Sequence, residues 1–462
     1  MKKTLLSLAA AALSVGAFAQ AIPSPFWNII QNGNFNGTTP YAGVRFIDAV
    51  SSNDVWAIGY NGLAPNENYN WFSRTTNGGT TWTGGNVYAD TNTYVMANLD
   101  AIDANTAWVS AYMKSTQNKG AAHQTTNGGT TWTNMTPAGG YTNNASFMNV
   151  VCFVTPSVGI IQGDPIGSPL EYEIYRTTDG GTSWTKVPGA NIPNPLNPSE
   201  YGLVNVYTKH GANDIWFGTN NGRVYHSNDG GLNWTVGTIT GAVVGVNELA
   251  FTDPNNGLAY AYSGTTTSPV LGLYRTTDGG ATWTQVTPLD PNMGLNDVVA
   301  ITGTSWFASA GAGTGNQIIS YSTDHGATWN SWGGSNIQYL NLDFADNINA
   351  WAGSFADNLG VGGIFKFSGA PLGLNEVANA PRAFEVYPNP TSGKVKINLP
   401  VAKQGCDINV INVLGQVVRT AKASAVTTGE TLTLDLSDLQ KGVYFVNIVV
   451  GAEKHTQKII VD

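Results

Sequence analysis

The phrase "YRTTDGGTSWT", Tyr175 to Thr185, limits the possible folds more than any other stretch, because the chain writes it six times. Its counterparts are "SRTTNGGTTWT" from Ser73, "HQTTNGGTTWT" from His123, "YHSNDGGLNWT" from Tyr225, "YRTTDGGATWT" from Tyr274 and "SYSTDHGATWN" from Ser320. The closing tryptophans, Trp82, Trp132, Trp184, Trp234, Trp283 and Trp329, follow one another at intervals of 50, 52, 50, 49 and 46 residues. A fixed period of this length marks an array of equivalent supersecondary units. A second echo lies between the phrases: "DVWAIGY" from Asp54, "TAWVSAY" from Thr106, "VGIIQGD" from Val158, "DIWFGTN" from Asp214, "GLAYAY" from Gly257, "SWFASAG" from Ser305 and "AWAGSF" from Ala350. It occurs seven times, so seven repeats are expected.

Each repeat reads as four short antiparallel strands, A to D, with the phrase as the C–D turn. In the third repeat these are "VVCFV", "VGIIQG", "YEIYRT" and "WTKV". Four strands in about 50 residues is the size of one propeller blade. The seventh repeat, from Tyr339, lacks strand D, and "FWNIIQN", Phe26 to Asn32, resembles one. Pairing the two ends would close the ring and remove its open edge. The expected fold class is all-β: a seven-bladed β-propeller over residues 22–369, followed by a small Ig-like β-sandwich.

The repeated acid is read as architecture. Asn77 and Asn127 stand where Asp179, Asp229, Asp278 and Asp324 stand elsewhere, so the position calls for a hydrogen-bond acceptor in a tight turn rather than for charge. The glycines after it supply positive φ. The pattern S/T-x-D-x-G-x-T-W resembles the Asp-box of sialidases and related propellers. A sialidase activity is not expected, because sialidases grip the substrate carboxylate with three arginines outside the boxes. Of the five propeller arginines, Arg74, Arg176 and Arg275 share one register position before the box, which leaves only Arg45 and Arg223.

The ends of the chain carry addresses. Residues 1–19 have a Lys2-Lys3 start, an apolar middle and an Ala17-Phe18-Ala19 cleavage site, the pattern of a secretory signal peptide. No other apolar run is long enough to span a membrane. After a linker at 370–383, residues 384–462 carry "YPNP", "LGQVV", "LSDLQKGVYFV" and "QKIIV". These words resemble, in order, the C-terminal sorting domain of type IX secretion substrates of Bacteroidota-type bacteria. That resemblance implies the type IX machinery as a partner, and release or anchoring at the outer cell surface. The net charge of −9 and the absence of a basic stripe argue against nucleic acid. Cys152 and Cys406 lie far apart and are read as unbridged, and the five histidines have no metal-ligand spacing.

Strand alternation puts the B–C and D–A loops at one end of the ring, and the long loops collect there. That end is the expected binding surface. Asp164, Glu171, Glu173 and Glu200 fall in one of its sectors. They read first as solvated loop charge; a Ca²⁺ or ligand site, or a catalytic carboxylate pair, are the alternatives. Asp164, Glu171 and Glu200 are the catalytic candidates. No cofactor is required. Trp71, Tyr88, Tyr141, Tyr201 and Trp332 are candidate ligand-binding aromatics, suited to sugar rings. The expected function is a secreted or surface-displayed binding propeller for a glycan or protein. The alternative is an extracellular glycoside hydrolase or lyase acting on polysaccharide at the same end.

Overall fold

The computed structural model describes residues 27–31, 42–61, 70–88, 93–241, 243–265, 268–312, 315–334, 337–356, 362–367, 385–399, 403–412, 416–426, 430–450 and 453–462. The signal peptide and the linker anticipated from sequence lie outside them. The chain divides into two compact units, residues 1–373 and 374–462. Both are all-β, and the one helical turn among the described residues is Gly189–Asn191.

In the first unit, the second to sixth repeats each form a four-stranded antiparallel sheet with the strands in chain order. The first strands of the seven repeats are Ala42–Ala49, Tyr94–Ala101, Met148–Phe153, Gly202–His210, Val243–Phe251, Asp297–Ala300 and Asn341–Phe344. Each touches the next, and the last touches the first. The seventh sheet takes its fourth strand from the N-terminal side: Trp27–Gln31 pairs antiparallel with Gly362–Phe367, Trp27 opposite Phe367. The first and seventh sheets also meet through one pairing, Gly43 opposite Phe355.

Sequence explains what fills the space between neighbouring sheets. The tryptophan of the strand-B echo projects from one face into the next repeat, and Trp56, Trp108, Trp216 and Trp351 are fully buried. Trp108 stacks on Phe153 of the following repeat at 4.9 Å, and Trp216 on Phe251 at 3.9 Å. Offset aromatic stacks of this kind add to the burial of large apolar surface.

A first strand has one edge without a neighbour, and its N–H groups need partners. At four consecutive junctions an acidic side chain supplies one. Leu342 N donates to Asp297 Oδ2 at 2.6 Å, Ala49 N to Asp343 Oδ2 at 2.6 Å, Ala101 N to Asp48 Oδ2 at 2.7 Å and Phe153 N to Asp100 Oδ2 at 2.9 Å. Asn98 adds a two-way bond to the backbone of Val151.

The second unit is a two-sheet sandwich. Glu385–Tyr387, Lys394–Leu399 and Glu430–Asp435 form one sheet; Val417–Val426, Lys403–Asn412, Gly442–Val450 and Glu453–Val461 form the other. Val395, Ile397 and Leu434 meet Val410, Val446 and Ile459 in one core. Two of the sequence words hold each other. Asn389 of "YPNP" accepts from Ile460 N and donates to Lys458 O, while Gln457 of "QKIIV" bonds both ways with the backbone of Val386.

Candidate functional site

The six phrase turns form one end of the first unit. In the first five, the first glycine N–H donates to a carbonyl of the same repeat's A–B turn, as Gly180 N does to Ser157 O at 2.9 Å. Inside the turn, Ser183 N donates to Asp179 Oδ1 at 2.9 Å and Ser183 Oγ to Asp179 Oδ2 at 2.6 Å. These bonds, led by the Ser183 hydroxyl, hold the Asp179 carboxyl down to about 2. Thr81 N donates to Asn77 Oδ1 at the same 2.9 Å, and Thr131 N to Asn127 Oδ1 at 3.0 Å. Asp229, Asp278 and Asp324 accept from Asn233 N, Thr282 N and Thr328 N in the same way.

The opposite end carries the B–C and D–A loops. Here two of the four acids singled out in the sequence, Glu200 and Glu173, clamp loops. Glu200 Oε2 accepts from Arg223 Nη1 at 3.0 Å and from Leu196 N at 2.5 Å, which ties the 194–200 loop to strand Arg223–Ser227. Arg223 Nη1 also donates to Asn194 O at 3.0 Å. Glu173 accepts from Tyr141 N at 2.8 Å and from Ser146 Oγ at 2.5 Å, closing the preceding D–A loop. Asp164 accepts from Asn149 Nδ2 at 2.9 Å. Glu171 lies against Gly189, where a Cβ would stand 2.0 Å from its carboxyl carbon. Asp164, Glu173 and Glu200 are buried, so the expectation of solvated loop charge is corrected for these three. A buried carboxylate needs fixed donors, and loop N–H groups together with the Asn149, Ser146 and Arg223 side chains provide them. Among the described residues no group of three or more His, Cys, Asp or Glu is placed to hold a metal.

The structure also redistributes the aromatic candidates. Tyr141 is 1% exposed, and its hydroxyl donates to Glu173 O at 2.7 Å. Tyr88 packs edge-on to His123 at 4.6 Å, and Trp332 stacks on Tyr321 at 4.7 Å. All three are buried. Their apolar rings gain more from the sheets beneath the loops than from water above them, so they are core residues and not rim platforms. Trp71 and Tyr201 are half-buried and keep part of their surface in solvent. Sequence reading passed over the exposed aliphatics of the same end. Leu196 in a D–A loop is 69% exposed, Val270 at the B–C hairpin 63% and Leu295 in another D–A loop 40%. Leu232 and Ile348 are the corresponding exposures at the phrase end, both 42%.

A second polar cluster lies along the first strands, near their A–B ends. Lys209 of the fourth repeat reaches Asp100 Oδ1 at 2.6 Å and Phe153 O at 3.0 Å. Burial alone would lower the Lys209 pKa; Asp100, Cys152 and Asp48 raise it overall, so the ammonium stays charged. Burial pushes Asp48 up to about 7 against the pull of Lys209, and Asp343 up to about 6. Deeper along the strands, burial raises Asp297 to about 7 and lifts Glu248 well above its usual range, with Asp297 adding to the effect. The sequence signal was present in "FIDAV", "NLDAI" and "NLDFAD", which repeat an aspartate at one strand-A register.

Comparison with known proteins adds an address. Residues 385–462 match the secretion system C-terminal sorting domain. That domain directs the chain out of the cell and provides its contact with the secretion machinery. No curated protein matches the chain. Similar solved structures include YCF48 from Cyanidioschyzon merolae, at 16% identity and TM-score 0.49 over 74% of this chain and 98% of that one. The Niastella koreensis GH74 enzyme is similar at 14% identity and TM-score 0.26, over 91% and 68% of the two chains. The Hadza microbial sialidase Hz136 shows 12% identity and TM-score 0.40, over 59% and 65%. No described helix is long and apolar enough to cross a membrane.

Proposed function

We propose that the chain is a seven-bladed Asp-box propeller with a small Ig-like sorting domain, exported by type IX secretion to bind a glycan or protein outside the cell. The cyclic contacts of the seven first strands support the blade count. The observation that carries the binding reading is the state of the loop end. Glu173 and Glu200 spend their carboxylates on holding D–A loops in place, while Leu196, Val270 and Leu295 stay exposed above them. Loops fixed before a ligand arrives lower the ordering cost of binding, and apolar side chains on such loops are contact material. Of the catalytic candidates, Glu200 is one of these clamps, so acid–base catalysis through it would compete with its hold on the loop.

The test is a parallel screen of the full chain on polysaccharide and extracellular-protein arrays, with every retained ligand recovered and weighed by mass spectrometry. Retention with unchanged ligand mass is the expected outcome. Shortened or unsaturated products would establish the hydrolase or lyase alternative instead.

A further inference from the structure

In three of the repeats the residue at the strand-C position that precedes the phrase register ties one repeat to the next. Lys366 Nζ donates to Gly78 O at 2.8 Å, and Arg176 Nε donates to Gly230 O at 2.8 Å. Arg74 reaches Ala104 O and Asn105 Oδ1. At the fourth repeat His226 stands there and bonds Asp214, while Trp216 Nε1 takes Gly279 O at 2.8 Å. The acceptor in three of these ties is the first glycine of the next phrase.

Between the fifth and sixth repeats the pattern breaks on both sides. The sixth phrase has His325 where the others have that glycine. His325 holds φ at 59°, a region that side chains with a Cβ enter at some cost. Its ring compensates: Nε2 stands 3.0 Å from Gly257 O, and the ring stacks on Phe307 at 5.7 Å. A carbonyl only accepts, so Nε2 carries a proton. Burial lowers its pKa, and Arg275 lowers it further, against the pull of the Gly257 carbonyl. The Arg275 side chain has no hydrogen bond or ion pair among the described residues.

The released guanidinium lines a recess of about 370 Å³, together with Gln285, Thr287, Pro288, Leu289 and Asp290. That volume falls within the range of small-ligand pockets, about 300–1,000 Å³. Asp290 Oδ1 accepts from Asn292 N at 2.8 Å and its Oδ2 from Trp329 N at 3.0 Å, and no hydrogen bond or ion pair joins it to Arg275 among the described residues. A planar guanidinium without a partner matches a carboxylate in two-pronged geometry. The amide of Gln285 and the hydroxyl of Thr287 suit neighbouring hydroxyls, and the proline ring offers an apolar face. A peptide would instead add a strand to the outer edge, but Thr284–Val286 has only three residues and ends before Pro288. We infer that this recess is a binding site for a carboxylate-bearing saccharide, a uronate unit of a glycan, with Arg275 taking the carboxylate. Arg275 and the exposed Val270 lie near opposite ends of the one strand Ser268–Thr276, so Arg275 stands on the phrase side of the recess, while Thr287 to Asp290 belong to the D–A loop that also carries Leu295.

Calorimetric titration of the full chain with trigalacturonate, with its methyl ester and with an acidic peptide tests the assignment. Trigalacturonate should bind saturably. Methyl esterification and Arg275→Gln should each weaken it about tenfold or more, as loss of a charged two-pronged contact does. His325→Gly restores a glycine for Arg275 to tie to, and should weaken binding comparably while raising the melting temperature. Thermal melts verify that both variants fold. Equal affinity for the ester, undiminished affinity in folded Arg275→Gln or His325→Gly, no binding of trigalacturonate, or binding of the acidic peptide alone would each overturn the site.

Discussion

Asn77 and Asp179 do one job with different charges. Each offers Oδ1 to a backbone N–H four residues ahead, at 2.9 Å in both turns. A single sequence reveals this, because substituting asparagine for aspartate within an array keeps the acceptor and discards the charge. Tyr141 was not legible in the same way. Its loop position implied exposure, but its neighbour is Glu173, 32 residues on, and no local pattern records that pairing. The carboxylates of the first strands carry a pH signature. Asp48 and Asp297, each near 7, and Asp343, near 6, titrate above the unfolded value of about 4. Folding therefore takes up protons, and their contribution is present below about pH 4 and lost as pH rises through 6 to 7. The phrase carboxylates run the other way: Asp179, near 2, contributes above about pH 4 and loses that contribution as pH falls toward 2. Charged or titratable groups facing Asp48 include Lys209, Asp343 and Asp100. Melting temperature should thus peak in mild acid and decline toward pH 8. Asp48→Asn keeps an acceptor for Ala101 N and should make that decline shallower; equal slopes in the two proteins would refute the assignment.

At the scale of the element, the N-terminal strand is the instructive case. "FWNIIQN" could be matched to the strand after a phrase because the seventh repeat lacked one, and the pairing of Trp27–Gln31 with Gly362–Phe367 follows. Strands were legible because alternation and turn residues are local. The packing of the long loops was not, since it depends on which sheet each loop folds over. The words of the sorting domain occupy a middle ground: they were recognised as words, and only the structure shows Asn389 and Gln457 joining the two ends of that unit. Removing residues 27–31 strips the outer partner from Gly362–Phe367 and leaves a bare sheet edge. The first unit should then melt at a lower temperature and expose new hydrophobic surface, read by calorimetry and dye binding. A melting transition unchanged by the deletion would contradict closure by this strand.

On the scale of the whole molecule, the first unit separates its two ends. The phrase turns bond to their own A–B turns at one end, and clamped loops with exposed Leu196 and Val270 lie at the other. The repeated acids therefore serve the turns, and the binding proposed for the loop end does not draw on them. The most direct measurement compares Leu196→Asp and Val270→Asp with Asp179→Asn for retention on the array ligands that the unaltered chain binds, with melts recorded for all three. The account predicts that the two loop-end variants keep their melting temperature and lose retention about tenfold or more, as buried contact residues do, while Asp179→Asn retains both. Loss of retention in Asp179→Asn at unchanged stability, with both loop-end variants still binding fully, would place recognition at the phrase end and contradict the account.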